Sequence, residues 1–374
     1  MSDLEQICLA ILKGKPINLP ESELELLLNF AQEHGIVPLL HHQLQTVSRS
    51  IKVPRQLMES LHAQATLETA AELARNHELK QVLAALTNNG IQPLLMKGTP
   101  LAYLLYPNPT LRPRCDTDLL IPIADKEKTI HILTESGYIF PNATSGDFVM
   151  HQAACIKKEK TGFMHQLDVH WKISNRPYFA NILQYKELIK CAVPVLELGP
   201  HAHALALTDA LLFACLHRAG HAVSNDSNRL IWLYDIHLLC EALKPSELEY
   251  FISQAGSLRV STLCLDALEQ TQLRFHTNLP DTALSQLRKS STQSEPSAHY
   301  LQEGRFTQLK CNLKSLPKFT DKLAYIGEIL FPSQNYMLIK YKTRNHLLLP
   351  LLYLHRFFLG CKKQIFRKEK DHLH

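Results

Sequence analysis

The chain has 374 residues, 45% of them hydrophobic and 20% charged, with a formal charge of +5 and a sequence pI near 8.6. That composition excludes a disordered chain, supports a substantial core in two or three subdomains, and suits an anionic substrate without the concentrated basic face of a dedicated nucleic-acid binder. Nine cysteines without C-x-x-C spacing, and no secretory signal at Met1–Glu5, point to reduced thiols in a cytoplasm rather than a disulfide framework or zinc finger.

Residues 1–90 read as helical. Leu24, Leu27, Leu28 and Ala31 recur at helical spacing after Pro20-Glu21 and stop at Gly35. From Pro54 to Asn88, Leu57, Leu61, Leu79, Val82, Leu83 and Leu86 describe one long helix or two, with Asn88-Asn89-Gly90 as the stop. A mixed region follows over 91–197. It holds a strand at 91–96, a helix at 98–105, a strand at 116–122 and a helix at 125–136 ended by Gly137. Strands near 138–140, 148–157 and 165–172 complete it. Residues 198–374 turn helical again, with Asp209–Ala219 and Arg229–Leu243 strongly periodic. Ser290–Ser297 is the clearest linker. No window has the uncharged apolar length of a membrane span; the nearest, Leu347–Cys361, is interrupted by Pro350, His355 and Arg356.

The chemistry concentrates in the mixed region. An apolar run ends at Lys97-Gly98-Thr99, and Arg114-Cys115-Asp116-Thr117-Asp118 leads into a second apolar run. Aspartate is depleted in strands, and alternation puts Asp116 and Asp118 on one face. Two like charges side by side call for a cation, and hard oxygen ligands suit magnesium or manganese. Alone, Asp-x-Asp is better read as an acidic first turn of a strand. Asp168 changes the balance. In His165–Trp171, Leu167, Val169 and Trp171 alternate with Gln166, Asp168 and His170, so Asp168 can complete a three-carboxylate cluster. Such a cluster can hold two divalent ions about 3.5–4 Å apart across the attacking and leaving oxygens of a phosphoryl displacement. Gly98-Thr99, between strand and helix, would let a polyphosphate approach backbone N–H groups.

The order Lys97-Gly98, Tyr106-Pro107, Arg114, Asp116-x-Asp118, Asp168-x-His170-Trp171 resembles the nucleotidyltransferase superfamily. More narrowly, it is similar to uncharacterised bacterial members carrying Lys-Gly in place of the usual Gly-Ser or Gly-Gly. The resemblance continues in His217–His221, Leu230–Asp235, Leu330–Ser333 and Leu352–Arg356. It implies metal-dependent transfer of a nucleoside monophosphate from an NTP, with Asp116, Asp118 and Asp168 as metal carboxylates. Lys97, Gly98, Thr99 and Arg114 would grip the nucleotide, and Thr99 departs from the usual small residue touching the triphosphate.

Other residues have a plain and a functional reading. Lys97 is either a solvated strand-end lysine or a point charge on phosphate, and the second is preferred. Of Arg112 and Arg114, one pairs with the aspartates and the other touches phosphate. His170 is a metal neighbour, orients Asp168 or is simply exposed, and Trp171 belongs to the core rather than to a base-stacking platform. His217 and His221 share a helical face but lack the glutamate of H-E-x-x-H, so they are a packing pair or, with Trp232 and Asp235, a wall of the substrate cleft. The basic run 361–370 is a solvated tail or a weak contact to an anionic partner or membrane surface.

The expected architecture is α+β, a small mixed β-sheet nucleotidyltransferase core flanked by N-terminal and C-terminal helical domains. The expected partners are an NTP with Mg²⁺ or Mn²⁺ and an unidentified acceptor. A small molecule is favoured over nucleic acid, and no stable membrane insertion is expected. Two other classes compete: a catalytically inactive nucleotide-sensing or partner-binding protein, and a metal phosphohydrolase built on His217, His221 and Asp235.

Overall fold

The computed structural model describes residues 2–15, 21–47, 53–141, 146–222, 227–291, 295–302 and 305–359. Helices α1 (Asp3–Leu12), α2 (Leu24–Glu33) and α3 (Val37–Val47) precede α4 (Arg55–Asn88), one continuous 34-residue helix. No Gly or Pro interrupts α4, Pro54 precedes it, and Gly90 follows it at φ +78°, a conformation that glycine adopts without strain. At 1.5 Å per residue such a helix is about 50 Å long. Its first half packs Leu57 and Leu61 against α1–α3, and its second half packs Leu79, Val82, Leu83 and Leu86 against a β-sheet.

The sheet contains β1 (Leu94–Met96), β2 (Thr117–Leu120), β3 (Gln152–Lys158), β4 (Met164–His170), β5 (Val193–Pro194) and β6 (His203–Ala204), in the order β3-β4-β2-β1-β6-β5. The β1–β2, β3–β4 and β5–β6 pairs are antiparallel, whereas β2–β4 and β1–β6 are parallel. The α+β expectation with a mixed sheet is met, although the sheet runs beyond residue 197. The two-residue strands β5 and β6 are too short to produce an alternating pattern. Expected strand boundaries shrink for physical reasons. The segment near 138–140 makes a single bridge, Ile139 to Ile156. Residues 147–149 give their N–H groups to the Glu328 carboxylate at 2.7–3.1 Å rather than to a neighbouring strand.

Helices α5 (Gly98–Leu104) and α6 (Lys126–Glu135) lie among the first strands, and α7 (Pro177–Ala180) and α8 (Tyr185–Leu188) are single turns. The C-terminal half comprises α9 (Leu207–Gly220), α10 (Leu230–Ala242), α11 (Pro245–Ser257), α12 (Ser261–Phe275) and α13 (Asp281–Ser290). It continues with α14 (His299–Gln302), α15 (Arg305–Ser315), α16 (Phe319–Leu330), α17 (Gln334–Lys340) and α18 (349–359). Part of the expected linker, 292–294, lies outside the described residues, and Pro296–Ala298 form a 3₁₀ turn.

Alternation along the strands divides two cores. Leu95, Leu119, Leu167 and Val169 face α4 and α6, while Leu94, Met96 and Leu120 face α9–α13. A third core joins α1–α3 to Tyr106, Leu111, Leu230 and Ile231. The end of α2 fastens α10, because Leu230 N–H donates to His34 Nδ1 at 3.1 Å and Ile231 N–H to the His34 carbonyl at 3.2 Å. Among the described residues no helix is long and apolar enough to cross a membrane.

Candidate active site

Parallel pairing of β2 with β4 places Asp118 opposite Asp168 and Leu120 opposite His170. Side chains two apart on one strand share a face, so Asp118, Asp168 and His170 converge on the face that turns from α4 toward α9. Their ligand atoms lie within 4.8 Å of one another. Asp118 and Asp168 are 3% and 8% exposed, a setting in which unpaired charges are costly. Asp116 stands one residue before β2, outside that trio but in the same cavity.

Lys97 provides the local countercharge. It is the residue between β1 and α5, held at φ +56°, and its Nζ donates to Asp118 Oδ1 at 2.5 Å. His170 Nε2 lies 2.8 Å from the same oxygen. His170 therefore serves Asp118 and not Asp168, because the strand register brings it beside β2. Gln152, the first residue of β3, holds Asp168 instead, its Nε2 donating to Oδ2 at 2.9 Å while Asn175 Nδ2 donates to Gln152 Oε1 at 3.1 Å. The other oxygen of Asp168, Oδ1, and His170 Nδ1 are buried with no hydrogen-bond partner among the described residues.

The electrostatics follow. Burial works against ionisation of Asp118, but Lys97 and His170 outweigh it and hold the carboxyl well below its usual range. Asp116 and Asp168 are pushed up, first by burial and then by the charge of Asp118. Burial opposes the Lys97 ammonium, yet Asp118, with help from Asp116 and Asp168, raises its pKa overall. The cluster thus carries more negative charge than one ammonium neutralises comfortably. An orphaned buried carboxylate oxygen beside a second carboxylate and an imidazole is a donor set that fits a divalent metal ion.

Neither arginine pairs with Asp116, Asp118 or Asp168. Arg112 binds the Asp235 carboxylate with Nε and Nη2, at 3.0 and 2.6 Å to opposite oxygens, and Tyr106 OH donates to Asp235 Oδ1 at 2.7 Å. Arg114 donates to Thr117 Oγ1 at 2.6 Å and to Glu72 Oε1 at 2.7 Å. The reason is burial: each guanidinium needs its own local carboxylate, and Asp235 on α10 and Glu72 on α4 supply them. Gly98 has a packing role. A Cβ there would lie 2.7 Å from Arg112 Cζ, so the guanidinium occupies the space that the missing side chain leaves.

The cavity enclosing these groups has a volume of about 1060 Å³. Lys97, Gly98, Thr99, Arg112, Arg114, Asp116, Asp118, Asp168, His170, His217, His221 and Asp235 all line it. His217 and His221 pack against Trp232, with ring centroids 4.8 and 4.9 Å away, and burial foremost keeps His217 neutral. Asp235 is committed to Arg112, so His217, His221 and Asp235 are not among the described groups of three that could hold a metal. The competing phosphohydrolase centre therefore does not assemble among the described residues.

Gln152 and Glu72 were not identified from sequence. Glu72 had a signal: it lies seven residues before Leu79, two turns back on the apolar stripe of α4, where a charge must find a buried partner. Gln152 had none, since an amide opening a strand is ordinary.

The family model described as an uncharacterised nucleotidyltransferase matches residues 20–276, a span containing the whole sheet and helices α2 to α12. A search of the curated proteins returned no match.

Proposed function

The chain belongs to this uncharacterised nucleotidyltransferase family, and we propose that it transfers a nucleoside monophosphate from an NTP to an acceptor, a small molecule being favoured. The observation that carries the reading is the buried Asp118–Asp168–His170 group with its unpartnered Asp168 Oδ1, beside Asp116 and Lys97 in one cavity. Asp118 and Asp168, flanked by Asp116 and His170, would hold Mg²⁺ or Mn²⁺. Such an ion neutralises phosphate charge and fixes the α-phosphate for in-line attack. Lys97, released from Asp118, would turn its ammonium to a phosphate oxygen. Asp168, whose proton affinity is raised by burial, suits removal of the acceptor proton. The acceptor oxygen then bonds to the α-phosphorus as the bond to the β-phosphate oxygen breaks and pyrophosphate leaves. A cavity of about 1060 Å³ gives room for both substrates.

One observation favours a second reading. The Lys97 ammonium already sits where a metal would be expected to neutralise Asp118, as it would in a protein that binds nucleotide without turning it over. A single experiment separates them. Thermal stability is measured with each NTP, with and without Mg²⁺ or Mn²⁺, for the wild type and Asp168→Asn, alongside pyrophosphate release. A ligand at a hundred times its Kd stabilises by about 2.7 kcal/mol. A metal-dependent shift with turnover, both lost in Asp168→Asn, supports the transferase. A shift without turnover under any acceptor tried supports the sensor, and no shift with any nucleotide removes both.

A further inference from the structure

Helix α16 and the segment containing α18 each bury one face and leave the other uncovered. On α16, Tyr325 is buried and lines the cavity, and Glu328 caps residues 147–149. Phe319, Leu323, Ile326 and Leu330, spaced four, three and four apart, are exposed. On α18 and the turn before it, Leu349 packs with Met337 and Leu338, and Tyr353 OH donates to the Pro332 carbonyl at 2.6 Å. Leu347, Leu351, Leu354 and Phe358 repeat the same spacing and are 86%, 63%, 55% and 67% exposed. That spacing sets four side chains on one side of a helix. Two such open stripes exceed the scattered apolar residues of an ordinary surface.

Charge identifies what covers them. Between residues 340 and 368 there are eight Lys or Arg (Lys340, Lys342, Arg344, Arg356, Lys362, Lys363, Arg367 and Lys368) and no Asp or Glu. Extending to residue 370 gives nine basic residues against Glu369, a net +8, with the basic run 361–370 lying outside the described residues, so a chain of +5 leaves −3 for everything else. A second copy would bring two +8 segments together and is opposed by that repulsion. A nucleic acid satisfies the charge but offers nothing aliphatic to Leu and Phe stripes. An anionic bilayer surface satisfies both, taking the stripes at the acyl boundary and the basic side chains at the headgroups. We propose that the α16–α18 arm docks the protein peripherally on anionic lipid membranes. The docking is interfacial, in keeping with the lack of a membrane-spanning helix among the described residues. Because α16 presents Tyr325 to the cavity from its other side, docking sets the cavity next to the membrane-bound arm.

The test is co-sedimentation of the full chain with vesicles of phosphatidylcholine alone or mixed with phosphatidylglycerol, without nucleotide or metal. The expected result is binding to the mixed vesicles only, weakened by salt. Leu351→Asp/Leu354→Asp/Phe358→Asp should abolish binding. Lys362→Gln/Lys363→Gln should weaken it roughly fivefold for each charge removed. All the substituted side chains of the stripe are exposed, so circular dichroism and Tm should be unchanged. Equal binding to neutral vesicles, or binding that survives the stripe substitutions, overturns the proposal. So does a dimer in light scattering that the stripe variant dissolves without any vesicle binding, or retention by RNA with none by lipid.

Discussion

Lys97 Nζ donates to Asp118 Oδ1 at 2.5 Å, tying the β1–α5 junction to the centre of the carboxylate cluster. The pair joins the two sequence motifs in one electrostatic unit. It also makes the lysine the rival of any metal for the same oxygen.

Replacing Lys97 by Met should therefore have two opposite effects. Without its ammonium the cluster loses about 1–2 kcal/mol of stability, less than a fully buried pair because Lys97 is partly exposed and His170 still faces Asp118. Divalent cations should then bind more tightly than to the wild type, since their competitor is gone. Urea unfolding with and without Mn²⁺ reads both effects, and unchanged cation affinity counts against the shared oxygen.

Gln152 acts on Asp168 through a hydrogen bond rather than as a ligand. Gln152→Leu should lower metal affinity or turnover by about 10–100-fold, leaving Tm nearly unchanged. Titration of Mn²⁺ against the variant tests this, and a loss no larger than that of a surface substitution would show that Asp168 does not need orientation.

The Arg112–Asp235 pair is buried on both sides, with side chains 8% and 6% exposed. Arg112→Met strands a buried carboxylate and should cost about 3–5 kcal/mol. The double variant Arg112→Met/Asp235→Leu should recover much of that loss. Gly98→Ala drives a methyl into the same guanidinium and should cost about 1–3 kcal/mol. Urea midpoints for the wild type, these three variants and the single variant Asp235→Leu form the check, and an additive double variant would exclude coupling.

His151 is 2% exposed, and burial, followed by the charge of Lys172, lowers its pKa from 6.5 to about 3. Its folded pKa lies below its unfolded one, so on acidification the unfolded chain takes up the proton first. Stability from this residue is complete above about pH 6.5 and is lost as pH falls toward about 3. His151→Leu should flatten the decline of the urea midpoint in that window; an unaltered slope would place the acid sensitivity elsewhere.

Much was legible without coordinates because it is written in local periodicity. The absence of Gly and Pro between Arg55 and Asn88 allowed one helix, and alternation in Leu167–Trp171 put Asp168 and His170 together on a polar face. The resemblance carried by Lys97-Gly98, Asp116-x-Asp118 and Asp168-x-His170 named the family that the later match bears out. Spatial partners were not legible. His170 faces Asp118 because β2 and β4 run parallel in one register, and a slip of one residue would have turned it to the opposite face. Arg112 meets Asp235 across 123 positions, and Arg114 meets Glu72 across 42. By itself the sequence determined which residues carry charge and which face of its own element each occupies, since backbone geometry sets both. Only the tertiary structure decided which charges neutralise one another, because a buried ion takes the nearest counterion that packing brings to it, however distant in the chain.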